Sequence, residues 1–186
     1  LLAAAVNKGD TDMRPVLAAV AASGADLVFL PVFRMEGDYI VLQAREMGAR
    51  MISILGWEPP GYPDLSGLVR FMRSQHLEVE IFTDGGGITA SLARDLFENR
   101  VGVVLRADSF DEGLQDLLGS GEGSFEPIRR TLSELKEAGY PSQEASLGVA
   151  TLICRQNIGE IPGLWRWLRD RDIVPCLAIA VPQGSA

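Results

Sequence analysis

Residues 51–63, MISILGWEPPGYP, decide how this chain folds. Met51 to Leu55 is a short apolar run closed by Gly56, Trp57, Glu58 and Pro59, and a helix opens after it at Asp64. A continuous apolar run bounded by turn residues reads as a strand covered on both faces. Strand, turn and helix in that order put Glu58 at a strand's carboxyl end, where ligands bind in α/β folds.

The same rhythm extends in both directions. Upstream, Leu2 to Val6 reads as a strand. After a polar turn, Met13, Val16, Leu17, Val20 and Ala21 fall at helical spacing, with Asp12 as N-cap, Pro15 in the first turn and Ser23 with Gly24 as the stop. Leu27 to Val32 is a second buried strand, and a helix from about Glu36 carries Tyr39, Ile40, Gln43 and Met47 before Gly48 ends it. Downstream, Asp64 caps a helix with Leu65, Leu68, Val69 and Met72 on one side. Val79 to Thr83 is a strand, and Asp84 to Gly87 a turn into a helix capped by Thr89. Val101 to Leu105, Leu147 to Cys154 and Ile173 to Val181 are further strands, separated by helices over Phe110 to Leu118, from Phe125 to the stop at Gly139, and from about Gly159. Seven βα-type strands with no hairpin signal predict a mostly parallel sheet with right-handed crossovers. The fold class is therefore α/β, built of repeated βα units. A partial TIM-type barrel and an open flavodoxin-like sheet are equally compatible with the pattern, and residues 1–186 form a single domain.

Composition narrows the function classes. The 186 residues are 47% hydrophobic and 23% charged, which is ordinary globular composition. Seventeen basic against 25 acidic residues give a net charge of −8, which opposes nucleic acid and anionic membrane surfaces as partners. No apolar run approaches the roughly 20 residues that span a bilayer, so a soluble, cytoplasmic protein is expected. Cys154 and Cys176 are too few for a disulfide framework and belong to no CxxC pair or Cys/His cluster; they read as two buried thiols.

Two resemblances follow from particular stretches. VNKGDTDMRPVLAAVAASGADLVFLPVFRMEGDYIVLQAREMG, above all Asp10 to Pro15 and Phe29 to Gly37, resembles the βαβα segment of type I periplasmic substrate-binding proteins of branched-chain amino-acid ABC transporters. A member of that family needs two complete lobes, for which this chain is too short. From Met51 to about Gly184 the chain resembles radical S-adenosylmethionine (SAM) enzymes. The resemblance rests on ISILGWEPPGYPDLSGLVRFMRSQHLEVEIFTDGG, VVLRADSFDEGLQDLLGSGEGSFEPIRRTLSELKEAGYP and LGVATLICRQNIGEIPGLWRWLRDRDIVP. It implies that the family's Gly-Gly-Glu-Pro turn, which holds the methionyl amine of SAM, is here Gly56, Trp57, Glu58 and Pro59, with a tryptophan where a glycine would let backbone approach the ligand. The family's Thr-Asn-Gly becomes Thr83, Asp84 and Gly85, and Ser109 matches a position used for the SAM carboxylate or ribose. The CxxxCxxC loop that would hold an iron–sulfur cluster is not found; its place is taken by Phe33 to Asp38.

These departures lead to one expectation and one alternative. The expectation is an engineered chimera of a binding-protein-like segment 1–50 and a radical-SAM-like segment 51–184. It would be a scaffold with no cofactor, no metal and no catalytic residues, and not an enzyme. The alternative is residual binding of SAM, an adenosine compound or a small amino acid at the strand ends by Gly56, Glu58, Asp84, Ser109 and Asn157. An unprotected edge strand leaves a homodimer open.

Other constellations have plain readings. Glu58 and Asp84 end neighbouring strands and would suit acid–base work or a divalent ion, but solvated loop positions explain them as well. His76 ends a helix and has no second histidine for zinc or a triad. Gly85 to Gly87 reads as a strand-to-helix turn, not a phosphate cradle. Trp165 is expected in the core and Trp167 half exposed, while Arg129, Arg130, Arg166, Arg169 and Arg171 lie on solvated helix faces.

Overall fold

The computed structural model describes residues 11–22, 34–55, 64–119 and 121–179. The expected strands Leu2 to Val6 and Leu27 to Val32, and the turn carrying Gly56, Trp57 and Glu58, lie outside the described residues. Within them the elements run α1 (Arg14–Ala22), α2 (Arg34–Glu46), β1 (Met51–Ile54), α3 (Leu65–Ser74), β2 (Glu78–Thr83), α4 (Ala90–Glu98), β3 (Gly102–Arg106), α5 (Glu112–Leu118), α6 (Phe125–Ala138), β4 (Leu147–Ile153), α7 (Ile161–Arg169) and β5 (Val174–Ile179).

Local chemistry sets these boundaries. Asp64 and Thr89 accept hydrogen bonds from the Gly67 and Leu92 amides and so cap α3 and α4 as expected. Asp111 does the same for α5 through Leu114. Asp12 Oδ1 takes the Arg14 amide at 3.2 Å and its guanidinium at 2.7 Å. The start of α1 is tied to α2 by Gln43, whose amide oxygen accepts from the Met13 N–H and whose amide nitrogen donates to the Thr11 carbonyl.

All four strand pairings are parallel and the order is β1-β2-β3-β4-β5. A doubly wound sheet reverses its strand order at a switch point; this one does not. The partial TIM-type barrel is therefore the correct branch of the expectation. Side chains on one face of the sheet, Val79, Ile81, Val103, Leu105 and Val149, are buried among Leu65, Val69, Ala93, Leu96, Leu135 and Leu168 of the helices. The register aligns Ser53 with Glu80, Glu80 with Gly102, Phe82 with Val104, Arg106 with Ala150 and Ala150 with Cys176. These residues share the face away from the helices.

Two details differ from expectation, the exposure of Trp165 and that of the cysteines, while Trp167 is half exposed as expected. Trp165 is 45% exposed, while Trp167 packs edge-on against Phe110 with ring centroids 4.7 Å apart. Both tryptophans flank the buried line of Leu164 and Leu168, and Phe110 lies on the Trp167 side, which decides between them. Cys154 and Cys176 are free thiols and half-buried, not buried. Among the described residues no helix is long and apolar enough to cross a membrane.

Gly139 ends α6 with φ of 115°, and a Cβ there would meet the Phe97 ring at 2.7 Å. Gly139→Ala therefore combines backbone strain with a clash inside a packed aromatic pair, and should lower unfolding free energy by about 2 kcal/mol or more in urea denaturation.

Candidate functional site

The carboxyl ends of β3 and β4 are locked together by one buried carboxylate. Asp108 follows β3 with its side chain only 3% exposed. Its Oδ1 accepts the Leu152 amide of β4 at 2.8 Å, and its Oδ2 accepts the Arg106 guanidinium from Nε at 3.3 Å and Nη2 at 3.0 Å. Gln115 of α5 receives the Asp108 and Ser109 amides on a single oxygen, at 2.8 and 2.9 Å. Thr151 of β4 donates to the Ala107 carbonyl at 2.7 Å. Every polar group of this buried corner is thus paired, as a low-dielectric site requires.

Ser109 and Asn157 belong to the same network. Ser109 is buried; its hydroxyl donates to Glu160 at 2.7 Å and accepts from the Asp111 amide at 2.9 Å. Asn157 is also buried. Its amide nitrogen donates to the Asp108 and Leu152 carbonyls, and its oxygen accepts from the Cys154 amide. Both residues are engaged within the protein, and their effect on the strand ends is to fix the loops on which a ligand would rest.

Asp84 is exposed after β2, with Oδ1 accepting the Gly86 amide at 2.7 Å. The Gly85 amide goes to the Thr83 hydroxyl, and the Gly85 carbonyl receives the Thr131 hydroxyl of α6 at 2.8 Å. Two amides of this turn are therefore occupied by the chain itself, in keeping with a plain strand-to-helix turn. Gly56 and Glu58 lie outside the described residues. His76 is exposed with φ of 61° at the end of α3.

The residues that sequence reasoning missed are Arg106, Asp108, Gln115 and Glu160. A signal for Asp108 was present: an acid immediately after a buried strand and ahead of a serine. Arg106 leaves its guanidinium on the face away from the helices, with a side chain 58% exposed. It is the one cation that the described strands place at the carboxyl end of that face.

Deeper on the same face, Glu80 accepts a hydrogen bond from the Ser53 hydroxyl at 3.4 Å. Burial pushes its carboxyl above the ordinary value, against a smaller downward pull from Ser53. Burial also raises the Cys176 thiol, with the Glu80 charge adding to it.

Metal and cluster chemistry can be tested against the donors present. Among the described residues no group of three His, Cys, Asp or Glu side chains could hold a metal ion. An iron–sulfur cluster of the family's kind needs three thiolates. The chain has two cysteines, Cys154 just after β4 and Cys176 within β5, so the residues present do not fit such a cluster.

The Radical SAM superfamily matches residues 31–168, three quarters of the chain, and the chain belongs to this family. Mycofactocin maturase MftC of Mycolicibacterium smegmatis is 28% identical over 66% of this chain and 30% of its own length. Fe-coproporphyrin III synthase of Methanosarcina barkeri is 28% identical over 74% of this chain and 33% of its own length. Among solved structures, Streptococcus suis SuiB bound to S-adenosylmethionine superposes with a TM-score of 0.70 at 19% identity, covering 86% of this chain and 37% of SuiB. The chain thus spans about a third of the curated relatives it matches.

These findings correct the expected scaffold without activity, and with it the expectation that the chain is no enzyme. The family match passes through residue 51 without a break, and the relatives are named as a maturase and a synthase. Residues 31–50, assigned above to a binding-protein-like segment, fall inside the match.

Two outcomes follow from this geometry. Asp108→Ala leaves the Leu152 amide without its acceptor and should cost about 2 kcal/mol in chemical denaturation, while Asp108→Asn, which keeps an acceptor, should cost less. For Glu80 the raised pKa means that the folded state favours the protonated form. Its contribution is present below the ordinary value of 4.5 and is lost as pH rises through the folded value. Glu80→Gln should therefore be more stable than wild type at pH 7, by less than about 1 kcal/mol because water screens a half-exposed group. The gap should close as the pH of the melts falls below 4.5.

Proposed function

We propose that this chain forms the SAM-binding wall of a radical SAM enzyme that modifies a peptide. The observation that carries this reading is Arg106, a guanidinium at the carboxyl end of the sheet face away from the helices. Asp108 holds it by Nε and Nη2, which leaves its remaining N–H groups to face a ligand. A carboxylate of SAM is the fitting partner, because charge-assisted pairs with guanidinium are both strong and directional.

Ala150 and Leu152 lie beside and beyond Arg106 on this face, by the register of β3 and β4, and offer an apolar surface to an adenine ring. Glu58 takes the methionyl amine if the family's Gly-Gly-Glu-Pro role carries over to Gly56, Trp57, Glu58 and Pro59. When bound, SAM supplies a sulfonium centre with activated carbon–sulfur bonds. The two cysteines do not fit a cluster, so no step is assigned through one; this chain's part is to bind and orient. Support for a peptide substrate comes from the relative named a maturase and from SuiB, whose structure bound to the precursor peptide SuiA superposes with a TM-score of 0.67 at 20% identity.

Calorimetric titration of the folded protein with SAM tests the reading. Saturable binding is expected, weakened about tenfold or more in Arg106→Ala, as loss of a charge-assisted hydrogen bond would give, and weakened also in Glu58→Ala. A folded protein that takes up no SAM, or binds it equally well without Arg106, would overturn it.

A further inference from the structure

A groove runs between α6 and α7 on the helix-covered side of the sheet, the face opposite the one that carries Arg106. It encloses about 590 Å³. Helix α6 packs on α4 and α5, whereas α7 packs on β5, and the two helices leave a gap between them. One wall is the stripe Phe125, Ile128, Arg129, Leu132, Ser133 and Lys136 of α6. Those positions recur at three- and four-residue intervals, so they line one side of the helix for three turns. The opposite wall is Trp167 with Arg171, whose guanidinium lies 4.2 Å from the centre of the Trp167 ring. Leu147 and Ile173, at the starts of β4 and β5, form the floor.

The charge of this groove runs against that of the chain. Lys136 and Arg171 line it without a carboxylate among the described lining residues, whereas Arg129 is held by Glu126 in a two-point ion pair, in a protein whose net charge is −8. Large aromatic side chains beside arginines are the composition of binding hot spots. A straight apolar channel beside a helix, about 16 Å long at 1.5 Å per residue, accepts another helix through residues at i, i+3, i+4 and i+7.

We infer that the groove between α6 and α7 docks an acidic amphipathic helix of a partner protein. Leucine-like side chains of that helix enter between Leu132 and Trp167, and its carboxylates meet Lys136 and Arg171. The inference does not depend on SAM binding, since it uses a different face of the sheet.

The test uses two short helical peptides that share leucines at i, i+3, i+4 and i+7 and differ only in carrying glutamate or lysine elsewhere. Fluorescence anisotropy at low salt reads their binding to the full chain. The glutamate peptide should bind saturably and the lysine peptide should not. In the doubly charge-reversed variant, Lys136→Glu with Arg171→Glu, the glutamate peptide should lose at least about tenfold in affinity and the lysine peptide should gain it. Both positions are exposed, and circular dichroism checks that the variant is folded. Equal binding of the two peptides, no binding of the glutamate peptide by the folded chain, or a preference unmoved by charge reversal would each overturn the proposal.

Discussion

The carboxylate of Asp108 holds two strand ends in register and aims a guanidinium at the same time. It is buried, and what makes burial of a charge tolerable is that both oxygens are occupied, one by the Leu152 amide and one by Arg106. Around it, Gln115, Ser109, Asn157 and Thr151 complete the pairing of the neighbouring backbone groups. The loops that begin at the carboxyl ends of β3 and β4 are thereby fixed from beneath. A ligand bound there meets a preorganised surface and loses little affinity to ordering it.

Much of the architecture was legible because the relevant forces are local. Asp64 and Thr89 cap α3 and α4 through their own side chains, and Gly139 is needed where the backbone turns left-handed. The alternation of apolar runs with helical stripes predicted a parallel sheet without hairpins. Strand order was not legible. Order depends on which strand lies beside which, and periodicity carries no information about neighbours; the choice between an open sheet and a partial barrel needed the pairings themselves. Trp165 fails for a related reason, since it and Trp167 both flank the buried line of α7 and Phe110, from a distant segment, covers the Trp167 side.

The candidate site was less legible than the fold. Ser109 and Asn157 were singled out for a ligand, and both are instead engaged within the protein, with Glu160 and with the Asp108 and Leu152 carbonyls. Arg106 was passed over because an arginine ending a strand looks like any solvated charge until the face it occupies is known. The missing cluster motif weighed too heavily. It bears on which thiolates this chain supplies, whereas membership of the Radical SAM superfamily rests on residues 31–168 as a whole.

The unbroken strand order also bears on how the chain is built during synthesis. Each strand pairs with the next strand in the sequence, so every βα unit can dock on the edge left by the one before it as it leaves the ribosome. None of the described strands must wait for a distant partner to be translated. The growing edge is the most vulnerable part of the intermediate, and after the last described unit that edge is β5, whose Leu177 and Ile179 stay exposed. A chaperone or a neighbouring segment that covers β5 would therefore shield the nascent chain where its apolar edge is open.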